Sequence, residues 1–256
     1  MFALERQKYI LDMLAKTGSV WVSKLSDELG VTEETIRRDL EKLEAQESLR
    51  RTHGGAVPMD ESTYELSLEK RKSTNVDVKK RLAAEAVKYV ASGDTIFLDA
   101  STTTFYMAKE LKTLENVTVI TNSIRVVCEL TGLDNIKVIS VGGVASSNQS
   151  FVGNLAENSI AENYFANKMF FSSKGITADA GILESNEKEC GIKQKMMKNS
   201  GKKYFLCDRS KIGRIGFVKL SPLNKIDVFI TDADIDNSLK QHFEEGNVEI
   251  VKISNN

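Results

Sequence analysis

Cysteine and histidine are scarce in this chain of 256 residues, which has three of the first and two of the second. Cys128, Cys190 and Cys207 are widely spaced and odd in number, so they predict buried thiols in a reducing compartment rather than a disulfide framework or a zinc site. His53 and His242 are isolated and have no cysteine pair at ligand spacing. We therefore expect no metal centre and no cofactor.

Long hydrophobic runs are also missing. No stretch of about 18 apolar residues occurs, so no transmembrane helix is predicted. The first residues, MFALERQKYI, carry charges where a signal peptide needs an apolar stretch. We expect a cytoplasmic protein with no membrane partner. The composition, 41% hydrophobic and 28% charged, is that of an ordinary globular chain, and its length allows two domains.

The charge balance gives no support to a nucleic-acid partner. Residues 1–57 hold nine Lys/Arg and ten Asp/Glu, and the remaining residues hold 26 of each. The placement of the cations is more informative, because several are clustered between positions 37 and 53: Arg37, Arg38, Lys42, Arg50 and Arg51. The electrostatic case for DNA binding therefore depends on which way these side chains face.

The first 57 residues predict three helices followed by a hairpin. Helical spacing over Leu4–Lys16 ends near Gly18, and a second helix covers roughly Ser23–Leu29, with Gly30 suited to close it. Thr32 is suited to cap the third helix. Two short helices joined by a tight turn form a helix-turn-helix.

The third helix has an apolar stripe and an opposite polar face, as a helix bound in the major groove requires. The hairpin Leu49–Val57, with Gly54-Gly55 at its turn, brings further cations that suit phosphates. The candidate DNA-binding residues are Thr32, Glu34, Thr35, Arg37, Arg38, Lys42, Arg50, Arg51 and His53.

An alternative exists for each of these features. A solvated helix would use Glu34 and Arg38 as an ordinary i, i+4 ion pair, and Leu49–Val57 would be a plain surface hairpin. For the helix alone this alternative is favoured. The helix-turn-helix before it and the basic hairpin after it favour DNA binding instead.

A polar stretch, residues 58–75, predicts a linker to a second domain over residues 76–256. That domain alternates short apolar strands with amphipathic helices, a pattern typical of an α/β fold with a largely parallel sheet. The predicted strands are Thr95–Leu98, Val117–Ile120, Ile136–Val141, Met169–Ser172, Lys203–Cys207, Val228–Thr231 and Glu249–Ile253.

Five polar or glycine-rich loops follow these strands, where an open parallel sheet binds its ligands. The hydroxyl-rich loop before the predicted helix Phe105–Leu111 suits a phosphate, Asp99 suits sugar hydroxyls, and Lys174 and Lys211 suit an anion. The candidate effector-binding residues are Asp99, Ser101, Thr102, Thr103, Asn122, Gly142, Gly143, Lys174, Glu189 and Lys211. Helix capping by the hydroxyls, and an i, i+4 pair of Glu189 with Lys193, are the alternatives.

The chain resembles the DeoR family of bacterial transcription regulators over essentially its whole length. The amino-terminal matches are Arg6, the Gly18 and Gly30 boundaries, TEETIRRDLEKLE and LRRTHGGAV. In that family this unit is a winged helix-turn-helix, which implies that Thr35, Arg37 and Arg38 face DNA. The resemblance likewise places Arg50, Arg51 and His53 in the wing.

The second domain resembles the effector-sensing domain of that family, which is similar in fold to ribose-5-phosphate isomerase. The matching segments are FLDASTTT, TNS, VGG, SFVG, SSKGI, GILESNEKE and CDRSKIG. The resemblance implies a repressor of sugar-catabolic genes that a phosphorylated sugar releases from double-stranded operator DNA. It also implies a homo-oligomer, a dimer or a tetramer, that binds two half-sites about one DNA turn apart.

A sugar-phosphate isomerase is the competing prediction, since the same fold supports both activities. Isomerisation needs a positioned carboxylate base and a matched acid. The isomerase family carries an Asp-Gly-Ala-Asp-Glu segment where this chain has Ser173-Lys174-Gly175. Loss of those carboxylates favours ligand binding without catalysis, so we expect a regulator with no catalytic residues.

Overall fold

The structure is a computed structural model that describes residues 2–58 and 66–254. It divides into two compact units, residues 1–70 and 71–256. Within the expected linker, residues 59–65 lie outside the described residues, whereas Leu68–Ser73 forms a short helix. The domain limits proposed from the sequence therefore stay a prediction.

The first unit consists of α1 (Ala3–Thr17), β1 (Val20–Trp21), α2 (Val22–Leu29), α3 (Glu33–Ala45), β2 (Arg50–Thr52) and β3 (Gly55–Val57). The strands pair antiparallel in the order β1-β3-β2. Ile10, Leu25, Ile36 and Leu49 are buried in the core that the helices enclose. Helices α2 and α3 with the β2–β3 hairpin form the expected winged helix-turn-helix.

Helix α2 begins one residue earlier than the expected Ser23. Trp21 is its N-cap residue, and the Val22 N–H donates to the Gly54 carbonyl of the hairpin turn at 2.8 Å. The hairpin thus accepts one of the backbone donors that a helix start leaves open. A capping side chain at Ser23 is not needed, and the sequence around α2 alone does not reveal this partner.

The described residues of the second unit form seven α-helices, counting the one that crosses its boundary: α4 (Leu68–Ser73), α5 (Val76–Val87), α6 (Thr102–Leu111), α7 (Ile124–Leu130), α8 (Asn154–Asn163), α9 (Glu187–Lys198) and α10 (Asn237–Glu245). Its described strands are β4 (Thr95–Leu98), β5 (Val117–Thr121), β6 (Ile136–Ser140), β7 (Val144–Ala145), β8 (Phe151–Val152), β9 (Ala166–Phe171), β10 (Gly175–Thr177), β11 (Gly181–Glu184), β12 (Ser200–Cys207), β13 (Val218–Ser221), β14 (Val228–Thr231) and β15 (Glu249–Lys252).

Seven parallel strands form the main sheet in the order β15-β14-β12-β9-β4-β5-β6, and all seven were predicted. From β4 the chain builds outward to β6 and then returns to β9 on the other side of β4. The strand order therefore reverses between β4 and β9, the place where such sheets open a binding crevice. The hairpin β7–β8 and the antiparallel sheet β10-β11-β13 were not predicted.

Both faces of the main sheet are buried, which explains why its strands are almost continuously apolar. Phe171, Phe205, Phe229 and Phe243 form a row of ring contacts on one face, with centroids 4.7 to 5.7 Å apart. These rings pack with α8, α9 and α10, while α5, α6 and α7 cover the opposite face.

The three cysteines of the chain lie in different surroundings. Cys190 and Cys207 are buried, as expected, but Cys128 is exposed, and all three are free thiols. Over residues 2–58 and 66–254, no three His, Cys, Asp or Glu side chains are grouped to hold a metal ion. No helix in the same ranges has the length and apolar character needed to cross a membrane.

Gly55→Ala should destabilise the first unit. A Cβ at this position would lie 1.8 Å from the Val20 carbonyl oxygen, so β1 and β3 would have to separate. Overpacking of this kind costs about 1–3 kcal/mol. Urea unfolding followed by the fluorescence of Trp21, the one tryptophan of the chain, measures the loss.

Gly54→Ala is the matched control. Its Cβ would meet the Trp21 ring at 3.4 Å, an ordinary contact distance, so the unfolding midpoint should stay close to that of the natural chain. Equal midpoints for both variants would contradict the close approach of β1 and β3.

Candidate DNA interface and effector site

Helix α3 begins at a threonine cap. The Thr32 hydroxyl accepts from the Thr35 N–H at 3.3 Å, and the two hydroxyl oxygens lie 3.0 Å apart. Glu33 and Glu34 follow in the first turn, where carboxylates interact favourably with the helix dipole. Thr32 and Thr35 are thus part of the helix start as well as of the candidate DNA surface.

Both arginines of α3 make i, i+4 pairs, of which only the pair of Arg38 with Glu34 was predicted as an alternative. Arg37 pairs with Glu33 at 2.6 Å and Arg38 with Glu34 at 3.1 Å. Arg38 and Glu34 remain 72% and 63% exposed, so their pair is worth no more than about 1 kcal/mol. A pair this weak leaves the Arg38 guanidinium available to a phosphate or a base edge.

The β2–β3 hairpin carries the remaining candidates. Arg50, Arg51 and His53 are exposed on its strand and turn, and Lys42 is exposed on α3. The Arg51 N–H donates to Glu44 at 2.8 Å, which fastens the hairpin to the end of α3. All nine candidate DNA-binding residues therefore belong to one helix start, one helix and one adjoining hairpin.

In the second unit, the predicted loops meet at the carboxyl edge of the sheet. Asp99 is fully buried, and its two oxygens accept four bonds: from the Thr104 hydroxyl at 2.7 Å, from the N–H groups of Ser101 and Ser172, and from Lys193 at 3.0 Å. Asp99 thus joins the loops after β4 and β9. Because protein donors occupy it, we assign it to positioning rather than to sugar hydroxyls.

Lys193 is a buried cation at this edge. It contacts Asp99 and Glu184 and donates to the Ser172 carbonyl at 2.7 Å. Burial alone would lower the pKa of Lys193, but Glu184 and Asp99 raise it well above its ordinary value. Burial alone would raise the pKa of Asp99, yet Lys193 and the hydrogen bonds hold it below its usual range.

Glu189 does not use Lys193 as its hydrogen-bond partner. Its carboxylate accepts from the Ser150 hydroxyl and from Asn122 Nδ2, which lies 3.4 Å away. Burial raises the pKa of Glu189, an effect that Ser150 and Lys193 partly oppose. Glu189 therefore faces the loop after β5, and its part in ligand binding stays a prediction.

Two buried oxygens at this edge lack a partner among the described residues: Thr103 Oγ1 and Asn122 Oδ1. Both residues are only 1% exposed. A buried hydroxyl or amide without a hydrogen bond costs about 1–3 kcal/mol, so unpaired groups at a loop cluster indicate a ligand or ordered water. Ser101 caps α6 by accepting from the Thr104 N–H at 3.2 Å, and Thr102 is buried beside it.

Lys79, which the sequence analysis missed, lies buried next to these loops. It donates to the carbonyls of Arg71 and Thr74 at 2.6 and 2.7 Å. Burial and the nearby cations Lys211, Arg71 and Arg125 lower the pKa of Lys79 to about 8, although Asp208 opposes them. Its position in an amphipathic helix gave no sign that it would be buried.

Asp208 and Lys211 occupy the loop after β12. Lys211 donates to the Ser172 hydroxyl at 2.6 Å, and Asp208 accepts from Asn75 at 3.1 Å. Burial would raise the pKa of Asp208, but Lys211 and Ser210 hold it below its ordinary value. Among the described residues, the charged groups that shift the pKa of Lys79 are three cations and one carboxylate, which favours an anionic ligand.

The last three candidates lie at the margins of the cluster. Gly142 and Gly143 both have positive φ, and Gly143 packs against Val152 and Ala156. Lys174 is half-buried, and its N–H donates to the Leu183 carbonyl at 3.1 Å. These residues shape the neighbouring loops, and their part in ligand binding stays a prediction.

Two family models match the chain: the DeoR-like helix-turn-helix domain over residues 6–62 and the DeoR C terminal sensor domain over residues 74–233. A helix-turn-helix joined to a sensor domain defines a transcription regulator that responds to a ligand. The chain belongs to the DeoR family.

Relatives from two bacteria match along almost the whole chain. The uncharacterized HTH-type transcriptional regulator YulB of Bacillus subtilis is 43% identical over 254 residues, 99% of this chain and 98% of that protein. The L-fucose operon activator of Haemophilus influenzae is 33% identical over 244 residues, 95% of this chain and 97% of that protein. This chain is accordingly a DNA-binding transcription regulator and not an enzyme.

A more distant likeness is found among solved structures. Ribose 5-phosphate isomerase A from Methanocaldococcus jannaschii gives a TM-score of 0.42 at 18% identity, over 54% of this chain and 55% of that one. A likeness of this degree carries no statement about activity.

Lys193→Met should strongly destabilise the second unit, because it leaves Asp99 and Glu184 buried without their cation. Removal of one partner from a buried ion pair costs about 3–5 kcal/mol. Urea unfolding of the full chain, followed by circular dichroism at pH 7.5, measures the loss. Lys198→Met, at the exposed end of the same helix, should leave stability nearly unchanged.

The pH dependence identifies the cause of that loss. In the natural chain Asp99 has a lowered pKa, so its stabilising effect is present at neutral pH and lost on acidification. In the variant, burial without the cation raises the pKa of this carboxyl, and the folded state gains protons more readily than the unfolded state. The difference in the free energy of unfolding between the natural chain and Lys193→Met should therefore be smaller at pH 5.5 than at pH 7.5. An equal difference at both pH values would contradict this account.

Proposed function

We propose that this regulator represses sugar-catabolic genes and that a phosphorylated sugar releases it from its operator. Helix α3 enters the major groove while the β2–β3 hairpin contacts flanking phosphates. The sugar phosphate binds at the carboxyl edge of the seven-stranded sheet. The observation that supports the ligand class best is made on the described residues: two buried oxygens lack a partner there, and cations outnumber carboxylates around Lys79.

The chemistry of the edge suits both parts of such a ligand. A phosphate dianion would neutralise the cations near Lys79 and Lys211, whose mutual repulsion contributes to the lowered pKa of Lys79. Thr103 Oγ1 and Asn122 Oδ1 would pair with sugar hydroxyls. The name of the Haemophilus influenzae relative, an L-fucose operon activator, associates a close relative with a sugar operon.

A route from the ligand to DNA starts at residues 71–75, the first residues of the second unit. Asn75 donates to Asp208 at 3.1 Å and to the Ser210 hydroxyl at 3.0 Å, while Lys79 holds the carbonyls of Arg71 and Thr74. A phosphate near Lys211 and Lys79 would compete with these bonds. The segment that leads to the DNA-binding unit would then change its conformation, as differential binding to two states requires.

The proposal includes a cytoplasmic homodimer that places two α3 helices in half-sites about 34–36 Å apart. In the released state the two helices cannot span both half-sites. Light scattering of the purified chain, with and without an operator duplex, measures its oligomeric state, and reporter expression in a strain lacking the chain gives the sign of regulation.

Arg38→Ala and Thr103→Val should separate the two activities. Loss of the Arg38 contact weakens operator binding by about 1–3 kcal/mol without changing effector affinity. Loss of the Thr103 hydroxyl weakens effector binding by about 0.5–1.5 kcal/mol without changing operator affinity. Operator affinity is measured by fluorescence anisotropy with a duplex that the natural chain selects from a random pool. Effector affinity is measured by calorimetry.

The ligand for calorimetry comes from a thermal-shift screen of phosphorylated trioses, pentoses and hexoses, each beside its unphosphorylated sugar and inorganic phosphate. Lys16→Ala removes the same charge from an exposed site on α1, and Thr113→Val removes an exposed hydroxyl after α6. Equal losses in both assays for either test variant, or a larger shift with unphosphorylated sugars, would contradict the proposal.

Asn75→Gly should uncouple effector binding from operator release. Asn75 has a φ of 52°, so glycine removes its side chain without backbone strain. We expect the effector still to bind, while the coupling energy, commonly about 1–3 kcal/mol in such systems, falls toward zero. Operator anisotropy titrated with the screened sugar phosphate measures it.

Asn247→Gly makes the same replacement at another residue with positive φ, 51°, in the turn before β15. This control should respond to the effector as the natural chain does. Full release of operator from Asn75→Gly would show that residues 71–75 do not carry the signal.

A further inference from the structure

Helix α3 contains a buried carboxylate on the side that faces α1. Asp39 is 2% exposed, and its two oxygens are bound by neighbouring side chains of α1: Gln7 Nε2 donates to Oδ1 at 3.0 Å, and Arg6 Nε donates to Oδ2. Arg6 and Gln7 are themselves buried. Two consecutive residues of one helix therefore hold a single side chain of the other from two sides.

Stability alone does not account for this cluster. The first unit already has an apolar core in which Ile36, Leu40 and Leu43 of α3 are buried. Buried ion pairs are often no better for stability than apolar groups of similar volume, because both charges lose their hydration. The cluster therefore has a role other than stability, one that apolar side chains of similar volume would not fill.

Apolar packing does not fix the rotation of a helix about its own axis. Hydrophobic contact depends on the area removed from water and tolerates small rotations. Hydrogen bonds at both oxygens of one carboxylate restrict the angle, because donor and acceptor must stay about 2.7–3.2 Å apart. A 20° turn of α3 moves a side-chain tip about 2 Å, if the tip lies some 5–6 Å from the axis. Such a displacement breaks a hydrogen bond to a base edge, whereas the Coulomb attraction of a cation to the phosphates falls only in inverse proportion to distance.

We propose that Arg6 and Gln7 are positioning residues for sequence recognition. By holding Asp39, they fix the rotation of α3 about its axis and so the direction in which Thr35, Arg38 and Lys42 point. The inference rests on α3 as the recognition helix, but not on the identity of the effector or on the sign of regulation.

The test replaces the whole cluster with apolar side chains, Arg6→Met, Gln7→Met and Asp39→Leu together, so that none of the three positions keeps a polar side chain that has lost its partner in the cluster. The full-length variant and the natural chain are compared on a duplex that the natural chain selects from a random pool and on a scrambled duplex. We expect the affinity ratio of selected to scrambled duplex to fall about tenfold, the loss of one base contact. Affinity for the scrambled duplex should change less than about twofold, because phosphate contacts dominate it.

Trp21 fluorescence measures whether the first unit of the variant remains folded. If the triple variant is unfolded, the single variant Gln7→Met takes its place in the test, since it leaves the Arg6–Asp39 pair and the net charge intact. We expect a smaller fall in the affinity ratio of selected to scrambled duplex for this variant. Gln241→Met, exposed on α10, is the matched control. The affinity ratio is the readout that a merely structural role would not move.

An unchanged ratio in a folded variant would overturn the proposal. So would equal losses on both duplexes in proportion to the unfolded fraction, which would make the cluster structural only. Failure of the natural chain to select any duplex is a separate result, because it would contradict α3 as the recognition helix before the cluster is tested.

Discussion

The contact of Asp99 with Lys193 joins the loop after β4 to helix α9, and both residues also bind Ser172 in the loop after β9. These parts come from opposite sides of the position where the strand order reverses. Because the carboxylate and the ammonium are both buried, each needs the other to stay charged. The shape of the ligand edge therefore depends on this pair, although neither side chain is directed to solvent.

The first unit also contains a buried ion pair between two of its elements. There Asp39 is the buried carboxylate, and Arg6 is the cation that comes from another helix. In both units a charged pair links elements whose contacts are otherwise apolar, and in both it lies directly behind a candidate binding surface. The exposed ion pairs of α3, such as Arg38 with Glu34, have the opposite character, because water screens them and DNA phosphates can replace them.

Local patterns were sufficient to predict the architecture. The seven strands of the main sheet follow from apolar runs buried on both faces, and the ends of α1 and α2 follow from Gly18 and Gly30. The small sheet β10-β11-β13 was not predicted from the sequence, because its strands are short and interrupted by turns. Glu47 adopts a φ of 53° just after α3, a conformation that its residue type does not suggest. The candidate loops were found, but Asn75 was not, since its partners Asp208 and Ser210 lie 133 and 135 positions further along the chain. Lys79 was missed because the carbonyls that it binds, those of Arg71 and Thr74, belong to a stretch predicted to be a linker.

The two units also differ in how far along the chain their linking contacts reach. Arg6 and Asp39 are 33 positions apart, whereas Asn75 and Asp208 are separated by 133. Ribosomes add about 5–20 residues per second, so the helix-turn-helix emerges roughly 7–30 seconds before β12 does. During each round of synthesis the nascent chain passes through a stage in which its amino-terminal unit is complete while its sensor still lacks β12 and the loop after it, which carries Asp208 and Lys211.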